Sequence, residues 1–449
     1  MYMDTKWRQK LHLEPPVGWL NDPNGLCRFK GNYHIYFQYA PDDINGGVKK
    51  CWGHYRSPDM INWEFTGTVL VPDIPEDRDG VYSGSAIVKD GTLHLFYTGN
   101  VKEKGDYDYI LSGRGANVIH VTTDDGHSMS EKRVVLRNAD YPDYCSCHVR
   151  DPKLWEENGK YYMVLGARTR SDEGCVLIYE SDDLDEWRFA RKLSVPDFGY
   201  MWECPDMIEI DGRRFLGVSP QGLPHYDTRF QNLFSSGYFL LDDNGLRDFE
   251  EWDYGFDFYA PQTFAAPDGR RILIGWMGMG GASYTNPTAQ LGWQHCLTLP
   301  RELTVSKDGN ILQNPIRELE NLRGGNIAVS DGERGQLALP FELVGSVKGS
   351  FDIDINSSVK LSYDGRMFRL EFTGESLGCG RDARNAKLEQ CGDIRIIADL
   401  SSMEIYLDGG KKVLSTRFYP EGENVNLRAN GIALKGWRLQ GMEVHILGK

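Results

Sequence analysis

A tight turn leading into an apolar strand recurs five times in the first two-thirds of the chain. The copies are Lys30-Gly31-Asn32, Asp90-Gly91-Thr92, Asn158-Gly159-Lys160, Asp211-Gly212-Arg213 and Asp268-Gly269-Arg270, with 53 to 68 residues between successive glycines. That period suits a four-stranded antiparallel sheet, which cannot bury both of its faces unless neighbours stack on it. Five such units therefore predict a ring, a five-bladed β-propeller. Outer strands are visible as well: Ser57-Pro58-Asp59-Met60-Ile61-Asn62-Trp63 and Ser181-Asp182-Asp183-Leu184-Asp185-Glu186-Trp187 read as matching turns that lead an aromatic into a strand. The 50 glycines and 12% aromatic content, with few amphipathic helical stretches, fit an all-β fold of short strands and tight turns.

The pattern changes after Leu299-Pro300-Arg301-Glu302-Leu303. A chain of 449 residues exceeds what one core usually supports, so two domains are expected. We assign residues 1–303 to the propeller, 304–324 to a connector containing a short helix from Pro315 to Leu322, and 325–449 to a β-sandwich. The last assignment rests on alternating segments such as Phe351–Ile355, Met367–Phe372 and Met403–Leu407. With no acidic cluster of its own, the sandwich is expected to serve packing or homo-oligomerisation.

A net charge of −15 without long charged runs argues against nucleic acid as a partner, since phosphate backbones demand a concentrated cationic face. The residues Met1–Lys10 hold no apolar core of a signal peptide, and no apolar run of about 18 residues would cross a membrane. Nine cysteines scattered through apparent strands suggest reduced thiols. A soluble cytoplasmic protein is the expectation. Cys145-Ser146-Cys147-His148 lacks a second ligand pair at zinc spacing, so no metal site is expected.

Three acidic motifs carry the chemistry: Asn21-Asp22-Pro23-Asn24-Gly25, Arg150-Asp151-Pro152 and Glu203-Cys204-Pro205-Asp206. Asp22, Asp151 and Glu203 lie 9, 8 and 9 residues before the turn glycine of their repeat. One Asp-Pro is ordinarily a turn; acids at one matched position of three repeats are not. If that position is on the strand lining the central channel, the three carboxylates converge. The same register brings Tyr82-Ser83 and Tyr259-Ala260-Pro261-Gln262 to the axis.

Read as Trp19-Leu20-Asn21-Asp22-Pro23-Asn24-Gly25, Arg150-Asp151-Pro152 and Glu203-Cys204-Pro205-Asp206 in order, the chain resembles glycoside hydrolase family 32, the β-fructofuranosidases. Supporting segments are Tyr36-Phe37-Gln38-Tyr39, Cys51-Trp52-Gly53-His54, Tyr82-Ser83-Gly84, Phe258-Tyr259-Ala260-Pro261-Gln262, Gly275-Trp276-Met277 and Leu299-Pro300-Arg301-Glu302-Leu303. The resemblance implies a five-bladed propeller followed by a β-sandwich, and a retaining hydrolysis without a cofactor. It makes Asp22 the nucleophile on the fructosyl anomeric carbon, Glu203 the acid and later base, and Asp151 the holder of fructose hydroxyls. Such a reaction needs one ionised and one protonated carboxyl roughly 5–5.5 Å apart. The expectation is that amides around Asp22 keep it charged, burial raises Glu203, Arg150 neutralises Asp151, and Cys204 modulates the acid. Asn21, Gln38, Ser83 and Tyr259 resemble the sugar-binding polar set, and Trp19, Trp52, Tyr82 and Trp276 its walls.

The chain departs from the family pattern twice. After Gln38 the usual aromatic is missing from Asn45-Gly46-Gly47-Val48-Lys49-Lys50, and Tyr82 stands where many members carry phenylalanine. With Ser219-Pro220-Gln221-Gly222-Leu223, these features are more similar to intracellular sucrose and sucrose-6-phosphate hydrolases than to secreted inulinases. Lys49 and Lys50 are then candidates for holding a substrate phosphate. The substrate expected is a small sugar: sucrose, its 6-phosphate, or a short fructo-oligosaccharide. Fructosyl transfer and non-catalytic carbohydrate binding remain as alternatives.

Overall fold

The computed structural model describes residues 5–47 and 49–447. Val48 and the first four residues of the N-terminal segment lie outside them. The five inner strands, Gly18–Phe29, Val81–Lys89, Cys145–Glu157, Met201–Ile210 and Tyr259–Ala265, each open an antiparallel sheet, here called blades I to V. Each inner strand touches the next, and the fifth touches the first, so the ring closes. The five repeat turns are where the sequence places them. In four of them two successive residues have positive φ, for example Asp90 at 51° and Gly91 at 79°. This is the twist that a two-residue hairpin loop requires.

Closure uses non-local strands. Trp293–Gln294 pairs in parallel with Gly18–Trp19, and Glu443–Ile446 near the C-terminus pairs in parallel with Asn62–Phe65 at the outer edge of blade I. Blade V is completed by Arg301–Val305, which pairs with Arg271–Leu273, and by Ile311–Pro315. Propeller strands thus run to residue 315, past the expected boundary at 303. Local periodicity could not show this, because the partner strand lies some thirty residues upstream. The expected helix is a single 3₁₀ segment, Arg317–Leu322.

The sandwich consists of two six-stranded antiparallel sheets between Arg323 and Leu439. Phe341, Leu343, Ile353, Leu361, Leu370, Ile405 and Leu427 fill the space between them. Phe351–Ile355, Met367–Phe372 and Met403–Leu407 all lie within its strands. A buried ionic cluster joins it to the ring: Arg301 of blade V contacts Asp253 at 3.0 Å and Glu404 of the sandwich at 2.8 Å.

Candidate active site

Each inner strand loses register with its neighbour at the same depth. The unpaired residues are Asn21-Asp22, Tyr82-Ser83, Asp151-Pro152, Cys204-Pro205 and Ala260-Pro261. Proline has no N–H to give the ladder, so a Pro at or next to this position breaks pairing in four blades. In blade II the break falls beside Gly84, where a Cβ would sit 2.0 Å from the Phe96 carbonyl oxygen. Asp151, Cys204 and Ala260 adopt φ of 63°, 47° and 50°. A bulge re-aims the side chain it carries, and here five bulges aim at one end of the channel.

Around Asp22, Ser83 Oγ donates to Oδ2 at 2.5 Å and Asn21 Nδ2 to Oδ1 at 3.0 Å. Asn21 also donates to Gln38 Oε1 at 2.9 Å, and Gln38 Nε2 to Ser83 Oγ at 2.6 Å, which closes a ring of side chains across blades I and II. Asp151 accepts the backbone N–H of Cys204 at 2.9 Å. The Cys204 thiol lies 3.8 Å from Asp22 Oδ2 and 3.7 Å from Asp151 Oδ2, so both carboxylates surround one sulfur. Glu203 precedes that cysteine. Its Oε1 accepts Arg150 Nη2 at 2.6 Å and Nε at 3.1 Å, and its Oε2 accepts Gln221 Nε2 and the Tyr259 hydroxyl, both at 2.6 Å. Trp19 and Trp276 stand 5.8 Å apart beside this group, and Tyr259 pairs across the sheet with Trp276.

The charge balance differs from the one expected. Burial raises Asp22 above the usual carboxylate range against the pull of Ser83 and Asn21, and Glu203 adds to the rise. Burial also lifts Asp151 to about 7 despite Arg150 nearby. For Glu203, burial alone would raise the value, but the Arg150 charge and the hydrogen bonds of Tyr259, Arg150 and Gln221 hold it below its ordinary position. Arg150 is the reason for the reversal. It was expected to neutralise Asp151, from which its Nε is 4.0 Å away, yet its short hydrogen bonds go to Glu203. The Cys204 thiol, expected to modulate Glu203, faces the other two acids.

Trp52, expected as a sugar-contacting wall, is wholly buried against Tyr36 and Tyr97. Its Nε1 donates to the Tyr82 carbonyl at 3.0 Å, so it braces the half-buried Tyr82 from behind. Of the lysine pair, Lys49 is exposed, whereas Lys50 is half-buried with Nζ 4.9 Å from the Trp19 ring. Burial lowers Lys50 to about 8, against the charges of Asp22 and Asp43.

Sequence reasoning did not single out Gln221 or His295 as site residues. Gln221 lies two residues beyond Ser219, the cross-strand partner of Glu203, so propeller register was the signal for it. His295 packs edge-on to Trp19 at 4.3 Å and Trp276 at 5.0 Å, with φ of 69°. No local motif marks it.

Comparison with known proteins shows the family of the chain. Residues 12–315 match the glycosyl hydrolases family 32 N-terminal domain, and residues 318–445 match the glycosyl hydrolases family 32 C terminal. The chain is 38% identical to a sucrose-6-phosphate hydrolase of Bacillus subtilis (strain 168), over 94% of this chain and 91% of that protein. It is 36% identical to a raffinose invertase of Escherichia coli, over 94% and 91%. Among solved structures, a GH32 beta-fructofuranosidase of Bombyx mori superposes with a TM-score of 0.86 at 29% identity, covering 98% of this chain and 96% of the other. A sucrose-6-phosphate hydrolase from Lactobacillus gasseri gives 0.84 at 27% identity, covering 97% and 94%.

Proposed function

The chain belongs to glycosyl hydrolase family 32, and from that premise we propose that the bulge cluster is the active site of a retaining β-fructofuranosidase acting on sucrose or sucrose-6-phosphate. The observation that carries the assignment is the Cys204 thiol within 4 Å of both Asp22 and Asp151, with Glu203 next to it on the same strand. Three acids from three blades are thereby brought together at one end of the channel.

Asp22, oriented by Ser83 and Asn21, attacks the anomeric carbon of the fructosyl unit. The bond to the glucosyl oxygen breaks as Glu203 protonates that oxygen, and a fructosyl ester of Asp22 remains. Glu203, now ionised, takes a proton from water, whose oxygen displaces Asp22 with retention overall. Asp151 and Gln38 bind fructose hydroxyls, and Trp19 with Trp276 covers the apolar face of the ring.

In the free site burial favours the protonated form of Asp151, whose value is raised to about 7, and raises Asp22 as well. Hydroxyl groups donating to Asp151 favour its ionised form. Sugar binding therefore frees a proton for Glu203, and the three acids need one proton among them. For the surroundings we infer the cytoplasm; the support is that all nine cysteines are unpaired. No helix among the described residues is long and apolar enough to cross a membrane.

The test is substitution of the two reacting carboxyls. Asp22→Asn and Glu203→Gln are each expected to lower kcat on sucrose by roughly a thousandfold or more, because a reacting group is lost and not merely a binding contact. Either variant turning over within tenfold of the parent would overturn the roles given to these residues.

A further inference from the structure

Two cations lie near the acids of the site, each in the field of a different one. Lys50 lies in the field of Asp22. Arg114 opens the strand Arg114–Thr123 of blade II, directly across from Lys102, and its guanidinium lies in the field of Arg150, Tyr82, Cys147 and Glu203. It stands on the side of the proton donor, where the leaving group departs.

Three arginines packed inside the protein show the usual pairing with acids, although Arg28 also keeps a shielded nitrogen without a partner. Arg301 meets Asp253 and Glu404, Arg381 meets Asp257, and Arg150 meets Glu203. Arg114 has no side-chain hydrogen bond or ion pair among the described residues, and its Nε is shielded from solvent without a partner. Asp108, an acid in the loop leading to Arg114, gives its carboxylate to the backbone N–H groups of Ile110, Leu111 and Ser112 instead. That loop is fixed against blade III by the Cys147 N–H donating to the Ile110 carbonyl at 2.7 Å. Burial and the like charge of Arg150 push Arg114 below the ordinary arginine value. A half-buried guanidinium with a shielded Nε and no anion costs the free protein stability, and an incoming anion relieves that cost.

We propose that Arg114 is a specificity-determining residue that reads a phosphate monoester on the leaving-group sugar, so that this site takes sucrose-6-phosphate in preference to sucrose. The proposal rests on the fructofuranosidase reading above. A guanidinium presents paired N–H donors that match phosphate oxygens, and Tyr82 places a hydroxyl at the same rim. Lys50 lies in the field of the nucleophile Asp22, so the task is not assigned to it, although its place before Trp52 in the sequence suggested it.

The experiment compares kcat/KM for sucrose-6-phosphate and sucrose in the parent enzyme, Arg114→Gln, Arg114→Lys and Lys50→Gln. Arg114→Gln should lose roughly ten- to a hundredfold on the phosphorylated substrate, the worth of a charged hydrogen-bonded contact, and stay within about twofold on sucrose. Arg114→Lys should recover part of the loss. Glucose 6-phosphate should inhibit the parent more strongly than inorganic phosphate does, and Arg114→Gln should abolish the difference. Thermal midpoints of Arg114→Gln at or above the parent value would show that the fold is kept. Equal losses on both substrates, no preference in the parent, equal inhibition by inorganic phosphate, or loss of preference in Lys50→Gln instead of Arg114→Gln would each overturn the proposal. A parent enzyme that cleaves neither substrate would instead overturn the fructofuranosidase reading itself.

Discussion

Arg150 sets the protonation of the whole acid cluster, because its charge acts on two carboxylates at once. It holds Glu203 below the ordinary range and moderates the rise of Asp151. Removing the charge as Arg150→Gln raises both values. In the free enzyme the acid has the lower value and the carboxylates the higher, so the reactive form, Glu203 protonated with Asp151 and Asp22 ionised, reaches its plateau above the Glu203 value and declines above the Asp151 value. Both limbs should therefore move to higher pH, by on the order of one unit. The measurement is the pH dependence of kcat/KM on sucrose for both proteins; a fixed or acid-shifted profile would contradict the assignment. The three acids themselves were legible in the sequence, because matched repeat positions made them stand out. The partner of Arg150 was not, since Asp151 is its chain neighbour whereas Glu203 lies 53 residues on and meets it only where one blade packs on the next. Trp52 failed as a wall for a related reason: alternation along a strand does not say which face points into the channel and which lies between blades.

The bulge is the element that makes a propeller strand into part of an active site. Four bulges are announced by proline, and the fifth depends on Gly84, which approaches the Phe96 carbonyl more closely than any side chain permits. Gly84→Ala forces the first two strands of blade II apart next to Ser83, whose hydroxyl holds Asp22. The expected outcome is a loss of stability of about 1–3 kcal/mol, as for overpacking, together with at least a tenfold fall in kcat/KM. The control is Gly91→Ala in the hairpin turn of the same blade, where φ is 79° and nothing lies within 4 Å. It should cost about 1–2 kcal/mol from the left-handed conformation and leave turnover unchanged. Denaturant unfolding and sucrose kinetics on the two variants separate these effects. Equal activity loss in both would mean that the bulge has no special part in positioning Ser83. The hairpins and their period were readable because they are local. The strands that close the ring, Trp293–Gln294 and Glu443–Ile446, were not, since each pairs with a segment hundreds of residues away and carries no turn signal.

At the scale of the whole molecule, buried charges join the ring and the sandwich. His12, on the segment that enters blade I, is fully buried with Nδ1 2.8 Å from Asp399 Oδ2 and Nε2 3.1 Å from Glu404 Oε1. Burial alone would lower its affinity for a proton, but the hydrogen bonds and charges of Asp399 and Glu404 raise it to about 9. Glu404 is engaged as well by Arg301, Tyr406 and the Leu299 N–H, and is held down at about 2. An imidazole whose value is raised from 6.5 to about 9 on folding stabilises the folded state fully below pH 6.5. That contribution, roughly 3 kcal/mol at its full value, declines across the interval and is lost as pH rises through 9. Glu404 adds no slope in this window, because it is ionised in both states above pH 6. The comparison of the parent with His12→Gln from pH 6 to pH 10 isolates the effect, since all other titrating groups are common to both proteins. The parent should be more stable by the widest margin near pH 6, and the two unfolding curves should draw together toward pH 10. A constant margin across that range would mean that folding does not raise the proton affinity of the imidazole, and that the contacts with Asp399 and Glu404 do not hold it charged.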